Sequence, residues 1–301
     1  MYKFKNVGLW GRLAEGNVSS TAQRVVAHLR ERQVQVFAPP SAAEIAHRPG
    51  SLEIVEEAEI AARADVIVAV GGDGTLLHAA HRVAGRNVPL VGINLGRLGF
   101  LTDILPEQML DALDAILSGD YLAEDRHMLE ARVKSSGEAR PPMAALNDVT
   151  LHKRETGRIL DFMTVVDGSY VNTHGGDGLI VATATGSTAY ALSCGGPIIQ
   201  PDVDALVMVP ICPHTLSDRP LVLKASCTIE VSLAPGEDLA AQIACDGEQY
   251  GMLRDGEVLR IRTAPETVTL LHPRDYNYYE LLRSKLNWGG TKRFGRPIHR
   301  S

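Results

Sequence analysis

The chain has 301 residues, 45% of them hydrophobic, and a net charge of −6. That length can hold two modest domains with real cores, and the hydrophobic fraction is ordinary for a globular protein. An acidic balance without a Lys/Arg-rich block argues against a general role on nucleic acid or on membrane surfaces, and leaves small molecules as the expected partners.

No apolar run approaches membrane-spanning length, and residues 1–6 lead straight into a predicted strand, so a cytoplasmic location is expected. Cys194, Cys212, Cys227 and Cys245 are widely spaced and form no Cys-x-x-Cys pair. Neither a zinc cluster nor a redox pair is indicated, and reduced, mostly buried thiols are expected.

Residues 7–11 predict a short first strand and a turn. Residues 21–32 predict a helix behind serine caps, with Val25, Val26 and Leu29 on one face. Gly8-x-x-Gly11 falls short of the dinucleotide fingerprint. A strand at 34–37 and a helix at 54–62 follow, and then comes the most telling stretch. Val66 to Val70 has the density of β-branched residues of a strand buried on both faces, and 75–82 has helical composition. Gly71, Gly72 and Gly74, with Thr75, therefore sit at a strand-to-helix junction. There, backbone amides and a helix N-terminus favour phosphate. Asp73 is out of place among such groups unless it accepts a proton or meets magnesium; the competing reading is a tight turn with an Asp cap. A strand at 88–94 and an amphipathic helix at 106–117 complete an alternation that predicts an α/β domain over 1–123.

The pattern changes near Asp125. Short alternating segments at 129–133, 162–166 and 228–233, separated by Gly, Pro and Asp, predict a mostly β second domain over 124–273 with a β-sandwich-like fold. Residues 274–301 are expected to return to the first domain through a helical, aromatic-rich segment ending in a loose basic tail. Gly175-Gly176-Asp177-Gly178 repeats the letters of the first glycine motif, but its apolar run follows the glycines, so this carboxylate enters a strand. The small, hydroxyl-rich segment after it (Thr183, Thr185, Ser187, Thr188, Ala189, Tyr190, Ala191, Leu192, Ser193) can bind a polar planar ligand, with Tyr190 on its face, or can simply cap a helix. Asn147-Asp148 interrupts a strand, either as a turn or to place an amide and a carboxylate on ribose hydroxyls. His78 and His81 lie three apart on a helix without a third metal ligand nearby, and are read as solvated or phosphate-adjacent. No metal-binding cluster is predicted.

These motifs resemble the NAD kinase family. Gly71 to Gly74, Asn147-Asp148 and the run from Asp177 to Tyr190 carry the resemblance. Further blocks at 92–100, Gly195-Gly196-Pro197 and Cys245-Asp246-Gly247 extend it over roughly 66–279. The resemblance implies a Rossmann-like N-terminal domain and phosphoryl transfer from magnesium-bound ATP, or polyphosphate, to the 2′-hydroxyl of the adenosine ribose of NAD. It implies that Asp73 accepts the hydroxyl proton, that the Asp73-Gly74 turn holds phosphate and ribose, and that His78 reaches the pyrophosphate. Asn147 and Asp148 would contact the ribose and adenine side, 188–193 would line the adenine, and Asp177 would lie toward the nicotinamide. Gly175, Thr185 and Asp246 join these contacts; Arg158 and Glu248 are ligand-adjacent, the latter where relatives often carry an amide. Ala182 and Ala184 replace the family's Ser and Pro, which implies a less rigid loop. A homodimer or homotetramer is implied as well.

Two other functions compete. A diacylglycerol-type lipid kinase or sugar kinase shares the glycine loop but has no need of the hydroxyl-rich segment, and no amphipathic membrane-binding stretch is present. A non-catalytic NAD(P) sensor would gain from losing the carboxylate at Asp73.

Overall fold

Five short strands rich in β-branched residues pair in parallel in the first third of the chain: β1 (Asn6–Trp10), β2 (Gln35–Ala38), β3 (Leu52–Ile54), β4 (Val66–Val70) and β5 (Leu90–Ile93), in the order β3-β2-β1-β4-β5. The computed structural model describes residues 2–45, 52–96, 98–135, 140–154, 158–235 and 240–288. Helices α1 (Gly16–Glu31), α2 (Glu57–Arg63), α3 (Asp73–Val83) and α4 (Met109–Ser118) alternate with the strands. Val25, Val26 and Leu29 of α1 and Leu113, Ile116 and Leu117 of α4 cover the sheet face formed by Val7, Leu9, Val66, Val68 and Val70. A Cβ at Gly8, pointing to the other face, would meet Ile60 and Ala64 on and beside α2. Covered on both faces, β4 is buried throughout.

The chain divides into two units: Met1–Ala79, Val88–Ala123 and everything from Leu270 in the first, Ala80–Asn87 and Glu124–Thr269 in the second. In the second unit the strand pairs are antiparallel, and several strands alternate in burial, as in β14 below. They are β6 (Leu122–Lys134), β7 (Met143–Ala145), β8 (Asp148–Lys153), β9 (Leu160–Val166), β10 (Ser169–Gly176), β11 (Gly178–Thr183), β12 (Ala205–Ile211), β13 (Leu221–Lys224), β14 (Thr228–Leu233), β15 (Ala241–Cys245), β16 (Glu248–Leu253) and β17 (Val258–His272). One sheet runs β13-β12-β11-β8-β15-β16; the other orders β10-β9-β14-β17, with β6 beside β17 and β7 beside β6. Inward residues of both, among them Val149, Leu179, Val181, Phe162, Ile229 and Val231, form one core, which makes this unit a sandwich. The outer faces of β11 and β12 are also covered, by Ala184, Ala191 and Ile199 of the segment between them, which includes the short helix α5 (Tyr190–Ser193).

Several local expectations change. Helix α1 starts at Gly16 behind an extended Glu15 with no side-chain cap, so Ser19 and Ser20 lie inside it. Ile54 ends a strand, and the following helix begins at Glu57. Cys227 and Cys245 are buried, but Cys194 is half-buried and Cys212 exposed; all four are free thiols. The last element, α6 (Tyr278–Leu286), is capped by the Asn277 side chain, which accepts from the Tyr279 and Glu280 amides, and buries Leu281 and Leu282. The predicted basic tail from 289 lies outside the described residues.

Candidate functional site

In the first unit the site is built around Asp73, the first residue of α3. The chain leaves β4 at Gly71, whose amide donates to the Ile93 carbonyl at 2.9 Å and whose φ of +155° suits glycine; a Cβ there would strike the Thr75 hydroxyl. Gly72 and Gly74 are exposed, with open space where their Cβ atoms would be. The first amides of a helix have no partner within it, so this turn presents donors outward.

The Asp73 carboxylate turns instead toward the segment after β5. Its Oδ1 accepts from the amides of Leu101 (3.0 Å) and Thr102 (3.1 Å) and from the Thr102 hydroxyl (3.0 Å); its Oδ2 accepts from the Phe100 amide at 2.8 Å. Asn94, buried at the end of β5, donates to the Thr102 hydroxyl at 2.9 Å and accepts from the Gly96 amide at 3.0 Å. Gly99 is required by closeness: a Cβ at this position would overlap Asp73 Oδ1. Sequence reasoning missed Asn94, Gly99 and Thr102 as parts of this cradle. The visible signal was Gly92-x-Asn94-x-Gly96-x-x-Gly99 after an apolar strand, a density of turn residues too high for a simple connection.

His78, one helical turn along, accepts from Trp10 Nε1 at 3.1 Å through its Nδ1. The neutral ring therefore carries its proton on Nε2, where it can donate to an oxyanion.

In the second unit Asn147 joins β7 to β8, and Asp148 begins β8. Asp246, at a left-handed turn (φ +48°) between β15 and β16, is the hub. Its carboxylate accepts from the amides of Leu146 (2.7 Å), Asn147 (2.8 Å) and Asp148 (3.0 Å), and its Oδ2 lies 2.9 Å from His81 Nε2. Its side chain is 2% exposed. Asp246, expected as a ligand contact, thus shapes the Asn147-Asp148 backbone, and His81, expected to be solvated or phosphate-adjacent, is part of that brace. Burial, with the Asp246 carboxylate next in importance, pushes the Asp148 carboxyl up to about 7.

The hydroxyl-rich segment is mostly engaged internally. Thr183 donates to the Leu146 carbonyl at 2.6 Å and accepts from the Gly186 amide; Ser187 donates to the Ala184 carbonyl and accepts from the Ile199 amide; Thr188 donates to the Thr185 carbonyl. Thr185 accepts from Arg126, a fully buried guanidinium also paired with Glu124, which sequence reasoning did not single out. Ala191 faces the core, whereas Thr188 and Ala189 are half-buried, Leu192 is half-buried, and Tyr190 and Ser193 are exposed. The Tyr190 ring stacks on His152 at 5.7 Å. Asp177 lies between β10 and β11 and pairs with Lys153 at 2.5 Å, whose ammonium holds its carboxyl below the usual range. Gly175 closes on Asp161 near the end of β10, while Arg158 and Glu248 are exposed. Among the described residues no three His, Cys, Asp or Glu side chains converge on a metal position.

Residues 7–121 match the ATP-NAD kinase N-terminal domain and residues 146–272 the ATP-NAD kinase C-terminal domain. The NAD kinase of Azoarcus sp. (strain BH72) is 43% identical over 290 residues, 96% of this chain and 98% of that one; the NAD kinase of Pseudomonas entomophila (strain L48) is 41% identical over 289 residues, 96% and 97%. Among solved structures, yeast NADH kinase complexed with NADH superposes with a TM-score of 0.87 at 26% identity, covering 97% of this chain and 90% of that chain. An NAD kinase from Archaeoglobus fulgidus in complex with ATP gives 0.70 at 28%, covering 94% and 98%. The chain belongs to the NAD kinase family.

Proposed function

We propose that the protein transfers the terminal phosphoryl group of ATP to the 2′-hydroxyl of the adenosine ribose of NAD, giving NADP. The observation that carries this reading is the seat of Asp73. A carboxylate at the mouth of a phosphate-binding turn keeps Oδ1 in three hydrogen bonds with the described residues but Oδ2 in one, with the Phe100 amide. Oδ2 retains a lone pair with which to take the hydroxyl proton. In the transfer the ribose oxygen forms a bond to the γ-phosphorus, the bond from that phosphorus to the bridging oxygen breaks, ADP leaves, and the proton passes to Asp73. Catalysis of this kind is mainly positioning and charge stabilisation. The amides of the Gly72 to Gly74 turn and His78 Nε2 hold phosphate oxygens. Asn147 and Asp148 hold ribose and adenine polar groups, Tyr190 and its neighbours line the adenine, and Asp177 stands toward the nicotinamide. Magnesium, arriving with the triphosphate, would neutralise phosphate charge; the described residues offer single carboxylates rather than a preformed cage.

Work in the cytoplasm as a homodimer or homotetramer is part of the same reading. No described helix is long and apolar enough to cross a membrane. The lipid or sugar kinase and sensor readings lose ground, because both domains match one family and the carboxylate is kept. The test is to mix protein, NAD, ATP and magnesium and follow NADP with an NADP-specific dehydrogenase. NADP should accumulate, and an NAD analogue with a 2′-deoxyadenosine should bind without being phosphorylated. Phosphorylation of that analogue would place the acceptor elsewhere.

A further inference from the structure

The strand order β3-β2-β1-β4-β5 turns on β1: the chain steps from β1 outward to β2 and β3, then returns to the other side of β1 at β4. In an open parallel sheet the crevice at the carboxyl ends of two such strands is where ligands bind. Asp73 and its glycine turn stand on the β4 side of that crevice. The β1 side ends in Trp10, which pairs in register with Ala69, and Gly11 follows with a φ of +146°, where a Cβ would strike the Val70 carbonyl. All of these residues belong to the first unit.

Trp10 is 3% exposed, and its indole N–H is directed at a side chain that is only half-buried, His78 Nδ1 at 3.1 Å. The two rings also pack, with centroids 5.5 Å apart and planes tilted by 42°. An indole nitrogen can only donate, so the imidazole nitrogen facing it must be the unprotonated one. If the imidazole turned over, a carbon-bound hydrogen would face the buried N–H, which would lose its acceptor. Trp10 therefore fixes the rotamer, the ring face and the tautomer of His78 together. An unrestrained imidazole would be free in all three. Nε2 carries the hydrogen and has no hydrogen-bond partner among the described residues. The donor also shares a rigid element with the carboxylate, since α3 carries Asp73 at its first residue and His78 further along.

We propose that Trp10 is a positioning residue for phosphate recognition: it holds His78 so that Nε2–H is offered to a phosphate oxygen of a nucleotide at the crevice between the ends of β1 and β4. This role rests on the phosphoryl-transfer reading and adds to it a residue that touches no substrate and acts through its neighbour.

The test uses the full chain and measures the affinities of NAD and of magnesium-bound ATP separately by calorimetry. Trp10→Phe keeps an aromatic ring in the core and removes the N–H. Because a smaller ring could loosen the core, the same titrations are made with Trp10 replaced by its benzothiophene isostere, in which sulfur stands where the N–H was. Each change should weaken at least one nucleotide roughly threefold to tenfold, as expected for a misplaced hydrogen bond, and the nucleotide affected identifies whose phosphate His78 meets. His78→Ala should weaken the same nucleotide at least as much. In the His78→Ala background, the change at Trp10 should then have no further effect, whereas a merely structural Trp10 would weaken binding equally with and without His78. In the wild-type protein, NMR should resolve a nitrogen–nitrogen coupling across the hydrogen bond from Trp10 Nε1 to His78 Nδ1. Equal losses in both backgrounds, unchanged affinity for both nucleotides with the isostere, or absence of that coupling would each overturn the proposal. A wild-type protein that binds both nucleotides but forms no NADP would instead sink the phosphoryl-transfer reading and leave the role of Trp10 standing.

Discussion

Asp73 is held by main-chain amides, and this sets what its replacement would do. Asp73→Asn should lower turnover by roughly a hundredfold or more with NAD binding largely kept, as expected when a general base is lost. The asparagine also puts an NH₂ group against an N–H donor, since both carboxylate oxygens accept from amides. Amide hydrogen exchange at 100–102 separates the two effects: faster exchange there would assign part of the loss to a displaced segment. Gly99→Ala should act on the same group from the other side, costing on the order of 1–3 kcal/mol through overlap with Oδ1. Its check is a urea midpoint beside a turnover measurement, and an alanine variant as stable and active as wild type would contradict the cradle. Asp148 gives a pH signature. Its carboxyl is pushed up to about 7, so the stability contributed by the neutral form is complete below the ordinary carboxylate range and is lost as pH rises through about 7. Between pH 6 and 8 the wild-type urea midpoint should fall more steeply than that of Asp148→Asn, whose side chain does not titrate.

At the scale of elements, the turn joining β15 to β16 sets the conformation of the turn joining β7 to β8. Asp246→Ala would leave the amides of Leu146, Asn147 and Asp148 without their acceptor, each a loss of about 1–3 kcal/mol if it stays buried. Chemical denaturation should show a large destabilisation, and KM for NAD should rise in whatever fraction folds; a wild-type midpoint would show that water replaces the carboxylate at no cost. This brace shows where the sequence stopped being legible. Strand β4 and the carboxylate after it could be read directly, because a β-branched run ending in glycines has few other solutions. Asp246 could not, because its partners are backbone amides about a hundred positions away and leave no mark in side-chain type. The hydroxyls of Thr183 and Ser187 invited a ligand-binding reading, yet both close local carbonyl contacts beneath the surface. Ser19 and Ser20 looked like caps, but α1 had already begun on the weak signal of Gly16.

At the scale of the whole molecule, the alternation of strand and helix ends at 123 but the first unit does not. Leu270 of β17 pairs with Leu90 of β5, Leu271 joins the first core, and α6 adds Leu281 and Leu282. The sequence did not mark out β17 as one strand, because its alternation is broken by Pro265 and Glu266. A fragment of residues 1–123 should therefore melt without a cooperative transition. The same fragment linked flexibly to residues 270–288 should regain one, as followed by circular dichroism. Equal cooperativity in both would make the returning segment dispensable.

The cradle of Asp73 also bears on how such a protein can drift over time. Three of the four described groups that hold the carboxylate are peptide N–H groups, which every residue except proline supplies, so Phe100 and Leu101 can change identity while the grip persists. The fixed letters are the inconspicuous ones: a glycine at 99 with no room for a methyl group, and a hydroxyl at 102 that links Asn94 to the carboxylate. A distant relative could thus keep this chemistry under a sequence that looks unrelated between positions 94 and 102, betrayed only by the spacing of an asparagine, a glycine and a threonine.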